Sequence, residues 1–283
     1  MLIMNPSLTL LMQIPAKERM KSPAFFAANV AICAALYAIV IGVTAFIPTP
    51  WGVGQVLPGV VVPALFAIAM GPWVGGLGAA IGTFVGDMAF QSLIHTNIVL
   101  ILVAGVPGNF FGFFVLGYLL KGKKNWSRFT VVTLISLFIG NLIAASGVDV
   151  VVFGRLSSGV QLLLVMGYTF FWIDTMVPFM FTILPLMMKG VSASPAWKRW
   201  FGEETVWGRE SLARVFLSGV ISSVPLFLLF LLTLVPAFGQ ITGAPVILGA
   251  LPTVILVRYL ILIGAVLMLF APLAPILGAQ KKV

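Results

Sequence analysis

Cysteine and histidine are nearly missing from this chain, which holds one of each in 283 residues, Cys33 and His95. A lone cysteine makes no disulfide framework, so Cys33, inside the first apolar run, reads as a small buried apolar residue. A lone histidine without a cysteine pair builds no typical zinc site, and His95 reads as a loop residue. Charge is scarce as well. Asp, Glu, Lys and Arg make up 8% of the chain and only seven residues are acidic, far below the share in a soluble domain. A phosphate-binding loop is also missing. The stretch GYLLKGKK (117–124) has Lys124 where Ser or Thr would hold magnesium, and it ends an apolar run instead of joining strand to helix. The segments FVGD and FWID, ending at Asp87 and Asp174, lack the glycine-x-glycine-aspartate and tyrosine-aspartate sequences of an intramembrane protease. These absences point away from an enzyme, and no metal or cofactor is expected.

Apolar sequence is abundant, at 61% of residues, and so is a regular pattern in the few cations. Fourteen of the sixteen Lys and Arg residues sit in every second gap between the apolar runs: Lys17 to Lys21, Lys121 to Arg128, Lys189 to Arg214, and Lys281 with Lys282. Basic loops stay on the cytoplasmic side, so these gaps face inward. The +9 net charge is therefore an orientation signal and not a nucleic-acid footprint. The alternation needs an even number of spans between clusters. It predicts an all-α polytopic protein of the cell membrane with eight transmembrane helices and both termini cytoplasmic. The spans are 24–47, 56–70, 72–93, 98–120, 128–153, 161–188, 213–237 and 245–277, each judged against the ~20 residues that cross the hydrocarbon. Residues 1–23 form a cytoplasmic or interfacial segment and 24–188 a six-helix membrane unit. Residues 189–212 form an interfacial loop carrying Trp197, Trp200 and Trp207, and 213–283 a two-helix appendage.

Small residues stripe two of these spans. Ala27, Ala31 and Ala35 recur every fourth residue in the first, with Ala34 and Ala38 beside them. Gly71, Gly75, Gly78, Gly82 and Gly86 do the same in and before the third, followed by Asp87. Small residues at this spacing let helices approach closely in lipid, either within the chain or against another protein. No internal repeat is visible, unlike many secondary transporters.

An alanine-striped first helix, a proline-containing second, then MGPWVGGLGAAIGTFVGD resembles the substrate-binding S component of energy-coupling factor (ECF) vitamin transporters over residues 24–188. The resemblance implies a six-helix fold that captures a vitamin or related micronutrient near the outer face. It implies docking through helix 1 to a transmembrane coupling subunit driven by two cytoplasmic ATPases. Ala27, Ala31, Ala35 and Ala38 become the docking residues. The last two helices depart from the usual pattern.

Three of the seven acidic residues, Asp87, Asp149 and Asp174, lie within apolar spans. A carboxylate at bilayer depth costs on the order of 3 kcal/mol, so such groups face a protein interior or wet cavity. Asp174, near the middle of helix 6 beside Trp172 and about a turn from Tyr168, is the expected ligand contact. Asp149 lies near the outer end of helix 5, followed by Arg155 in the outer loop. Asp87, ending the glycine face, reads first as a structural hydrogen-bonding group. Arg258, in the last helix, either pairs with one of these aspartates or snorkels. Asn97, Asn109 and Asn141 add polarity, as do Trp51 and Gln55 in the loop PTPWGVGQVLP (48–58), which resembles a lid. Flat aromatic faces with a few polar groups suit a small aromatic molecule. Two further readings remain: an autonomous proton-coupled transporter using an intramembrane aspartate, and a ligand-free scaffold similar to MreD proteins.

Overall fold

A computed structural model describes residues 22–45, 55–121, 125–153, 159–193, 212–234 and, in the last apolar run, 262, 264–266 and 268–270. The described residues form helices and no strand. Helix α1, Pro23–Thr44, starts where Pro23 occupies the first turn and the Ser22 Oγ accepts the Phe25 N–H at 3.1 Å, satisfying one orphan donor. At 22 residues it is ~33 Å long, enough for the hydrocarbon core. A 3₁₀ turn, Pro58–Val60, leads into α2, Val61–Met70. Gly71, at φ 105°, makes the reversal to α3, Pro72–Ala89, in a conformation that a β-carbon disfavours.

Helix α4, Ile98–Leu119, contains a π-helical stretch, Ile101–Gly105. Its cause is local: Pro107 has no N–H to return to the Val103 carbonyl. Gly147 in α5, Trp126–Phe153, makes room for that carbonyl, since a β-carbon there would lie 2.6 Å from the Val103 oxygen. At the basic end, the Arg128 guanidinium donates to the Leu119 carbonyl at 2.6 Å and to Lys121 at 3.3 Å, closing the C-terminus of α4. Helix α6, Gly159–Ala193, carries Pro178 and Pro185, and α7 spans Leu212–Thr233.

Among the described residues four helices are long and apolar enough to cross a membrane, α1, α4, and stretches of α5 and α6, as befits a multi-pass membrane protein. Neighbours pack in chain order from α3 onward, with α1 against α3. Helix α2 touches α1, α3, α4 and α6, and Val61, Val62, Ala64, Ala67 and Ile68 are buried there. The shortest apolar segment is therefore the central one.

The two small-residue stripes have different fates. The glycine stripe is internal: a β-carbon at Gly78 would lie 2.5 Å from the Cys33 Sγ, one at Gly82 2.8 Å from the Ala34 carbonyl, and one at Gly86 2.8 Å from Ile41. Buried Cys33 thus fills a close helix crossing. The alanine stripe points the other way. Ala27, Ala31 and Ala35 are exposed on the bundle surface and Ala38 is half-buried, whereas Ala34 faces inward. Helix α1 spends its Cys33–Tyr37–Ile41 face on the bundle, and the described residues leave its Ala27–Ala31–Ala35 face uncovered.

Candidate substrate cavity

A cavity opens among α1, α3, α4, α5 and α6, toward the end of the bundle away from the basic connection at 121–128. Its walls follow helical periodicity. Tyr37 and Ile41 of α1, Thr83 and Asp87 of α3, and Trp172, Met176 and Met180 of α6 each line it at four-residue spacing. Helix α4 contributes the most, from Leu100 through the π stretch to Leu116, and α5 adds Ser136, Gly140, Asn141, Ala144 and Val148. Gly108 and Gly140 bring α4 and α5 together behind it, each lying where a β-carbon would meet the other's carbonyl at 2.7–2.8 Å.

The polar groups are few and mostly oriented. The Tyr37 hydroxyl donates to the Asn109 Oδ1 at 3.1 Å, while the Asn109 Nδ2 donates to the Gly105 carbonyl at 3.0 Å. The Asn141 Nδ2 donates to the Leu137 carbonyl at 2.8 Å and to the Met176 sulfur at 3.4 Å, leaving its carbonyl oxygen as the acceptor for a ligand. Gln55 is 2% exposed, and neither its Nε2 nor its Oε1 has a hydrogen-bond partner among the described residues. A buried amide with donor and acceptor both unsatisfied is costly unless something binds it. Apolar and aromatic walls with such convergent polar groups make a small-molecule site.

Of the residues singled out in the sequence, Gln55, Asn109, Asn141 and Trp172 line this one cavity. Other expected contacts do not line this cavity. Asp174 lies two residues beyond Trp172, about 200° around the helix, and faces the last apolar run. A β-carbon at Gly264 would lie 2.9 Å from its Oδ1. Tyr168 sits a turn from Trp172 on the same stripe, ring centroids 6.3 Å apart, but outside the lining. Asn97 is a cap, its Oδ1 accepting the Leu100 N–H at 3.0 Å. Asp149 is fully buried beside the lining face of α5, with neither oxygen hydrogen-bonded among the described residues. Trp51, Arg155 and Arg258 lie outside the described residues, as do most of the 48–58 loop and the tryptophans of 189–212.

The carboxylate that does line the cavity is Asp87, read from the sequence as structural. A β-carbon on Gly105 would lie 3.3 Å from its Oδ2, so the π stretch of α4 and the end of α3 meet there. The available signal was its i+4 relation to Thr83 on a glycine-faced helix. His95, at φ 47°, is exposed while its neighbours Ile94 and Thr96 line the cavity.

A sequence model described as ECF-type riboflavin transporter, S component, matches residues 27–186, more than half of the chain. The chain belongs to this family. The matched segment of the S component holds every residue lining the cavity, from Tyr37 to Met180, together with the alanine stripe of α1. No curated protein and no solved structure matches this S component. The two apolar runs after residue 212 lie beyond the matched segment.

Proposed function

We propose that this protein is the substrate-capture subunit of an ECF-type ATP-driven importer for a vitamin or related micronutrient. The observation that carries the reading is a single matched segment, 27–186, uniting an open, largely apolar and aromatic cavity with an alanine face that the described residues leave exposed. The ligand enters between Gln55 and the 94–96 turn and lies against Trp172, Tyr37 and Phe113, with Asn109, Asn141 and Gln55 fixing its orientation. Riboflavin, named in the family's description, is the first compound to test.

Transport energy comes from partner ATPases through a membrane coupling subunit. Ala27, Ala31 and Ala35, with Ala38 at the margin, form the docking face, since small side chains let a partner helix approach closely. The chain crosses the membrane eight times with both termini cytoplasmic, which sets the cavity toward the outside.

Co-expression with an ECF coupling subunit and its ATPases tests the assignment. Ala31→Leu with Ala35→Leu should reduce co-purification of the coupling module at least tenfold while ligand affinity stays within twofold. Undiminished recovery would remove the alanine face from docking. Substrate accumulation by the isolated chain in vesicles without ATPases would overturn the importer reading.

A further inference from the structure

Outside the cavity, and independent of what the cavity holds, we propose that the outward face shared by α3 and α4 binds an anionic phospholipid from the leaflet at the basic end of the bundle. The lipid phosphate sits at Lys121 and Arg128, and an acyl chain lies along a row of aromatic rings.

Helical spacing builds the row. Phe110, Phe114 and Tyr118 of α4 recur every fourth residue, so their rings stand one above another. The first two rings are 5.7 Å apart and 20° from parallel, the second and third 6.2 Å apart and 8° from parallel. Trp73 of α3 closes one side, edge-on to Phe114 at 4.9 Å. Missing side chains let the two helices meet this way. A β-carbon at Gly76 would lie 3.2 Å from the Phe114 Cβ, and one at Gly117 2.8 Å from the Pro72 Cα. The rings do not fill the interior. Trp73 is 56% exposed and Tyr118 62%, while Phe110 and Phe114 are half-buried.

Depth and charge together say what covers them. Phe110 to Tyr118 spans ~12 Å along the helix axis, against a hydrocarbon core of ~30 Å. Interfacial anchors are Trp and Tyr at headgroup level, whereas this row carries phenylalanines on into the acyl chains. A partner helix does not suit it, because small side chains, as on α1, are what admit a close neighbour. The row ends where α4 ends, at Leu119. There Lys121 is exposed, and the Arg128 guanidinium is held on the Leu119 and Lys121 carbonyls. The sequence adds Lys123 and Lys124, and no acidic residue stands between Asp87 and Asp149 to offset them. Cationic charge continuous with an apolar aromatic strip matches a molecule whose net negative headgroup is joined to hydrocarbon.

The test uses the full chain reconstituted in phosphatidylcholine bilayers, with brominated phosphatidylglycerol or brominated phosphatidylcholine added stepwise. Bromine on an acyl chain quenches a tryptophan that it touches, and subtracting the signal of Trp73→Phe isolates Trp73. Phosphatidylglycerol should be preferred at Trp73 at least fourfold at low salt, and less as salt screens the headgroup. Lys121→Glu, a change at an exposed position, should abolish the preference. Phe114→Leu, which keeps the surface apolar but removes the central ring, should at least halve it. Equal quenching by the two lipids in the wild type overturns the proposal, and that comparison needs no charge or ring variant. A preference unchanged in Lys121→Glu overturns the headgroup placement. One unchanged in Phe114→Leu leaves charge alone as its cause and overturns the ring site. Absence of quenching by either lipid means that a second copy of the chain covers the row, and likewise overturns it.

Discussion

Trp172 and Asp174 stand two positions apart in α6 and serve opposite faces. Trp172 lines the cavity with Met176 and Met180, whereas Asp174 turns toward Gly264 and, through it, toward Leu226 of α7. Pro178 sharpens the contrast, because it supplies no N–H to the Asp174 carbonyl four residues back. Trp172→Ala should weaken ligand binding at least tenfold, by loss of an aromatic wall. Asp174→Asn should leave affinity within about twofold, measured by equilibrium titration of the same ligand. A large loss in Asp174→Asn would place its carboxylate in the site after all. The sequence marks both residues as unusual at membrane depth but does not say which side each takes. Three carboxylates in apolar spans are equally conspicuous in a string of letters. Only the packing of α3 on α1 and α4 turns Asp87 to the cavity and leaves Asp149 beside it.

Helices here meet through missing side chains. Gly78, Gly82 and Gly86 seat α3 on α1, and Gly108, Gly112 and Gly140 seat α4 on α5. Because lipid is as apolar as leucine, such contacts rest on close packing and not on expulsion of water. Gly140→Leu inserts a side chain where the Gly108 carbonyl and the Gly112 backbone stand 2.8–3.0 Å from a β-carbon. It should cost about 1–3 kcal/mol, read as a lowered unfolding temperature in detergent, and should weaken ligand binding by spreading the cavity wall. An unaffected variant would mean that α4 and α5 separate without consequence. Several helix starts were legible: α1, α4, α5, α6 and α7 begin within two residues of the starts expected for their spans. Helix α2 shows what length alone conceals. Too short to be persuasive as a crossing, it is the segment gripped by four others.

Across the whole molecule, the cavity runs from Gln55, Ile94 and Thr96 along α4 to Leu116, about one turn short of the Leu119 carbonyl that Arg128 binds. A thiol at Thr96→Cys, with Cys33→Ser as background, should react with impermeant reagent from outside intact cells, and one at Lys121→Cys only after permeabilisation. Labelling of both from one side would reverse the orientation and with it the direction of capture.

The string of residues settled the membrane class, the extent of the apolar runs and the family, because those follow from composition and local pattern. It also singled out Gln55, Asn109, Asn141 and Trp172, since polar and aromatic side chains at bilayer depth need a reason to be there. Which stripe of α1 stays uncovered and which aspartate reaches the cavity were decided only in three dimensions. Helical period places a residue on a face, but the face becomes interior or surface only when a neighbouring helix lies against it.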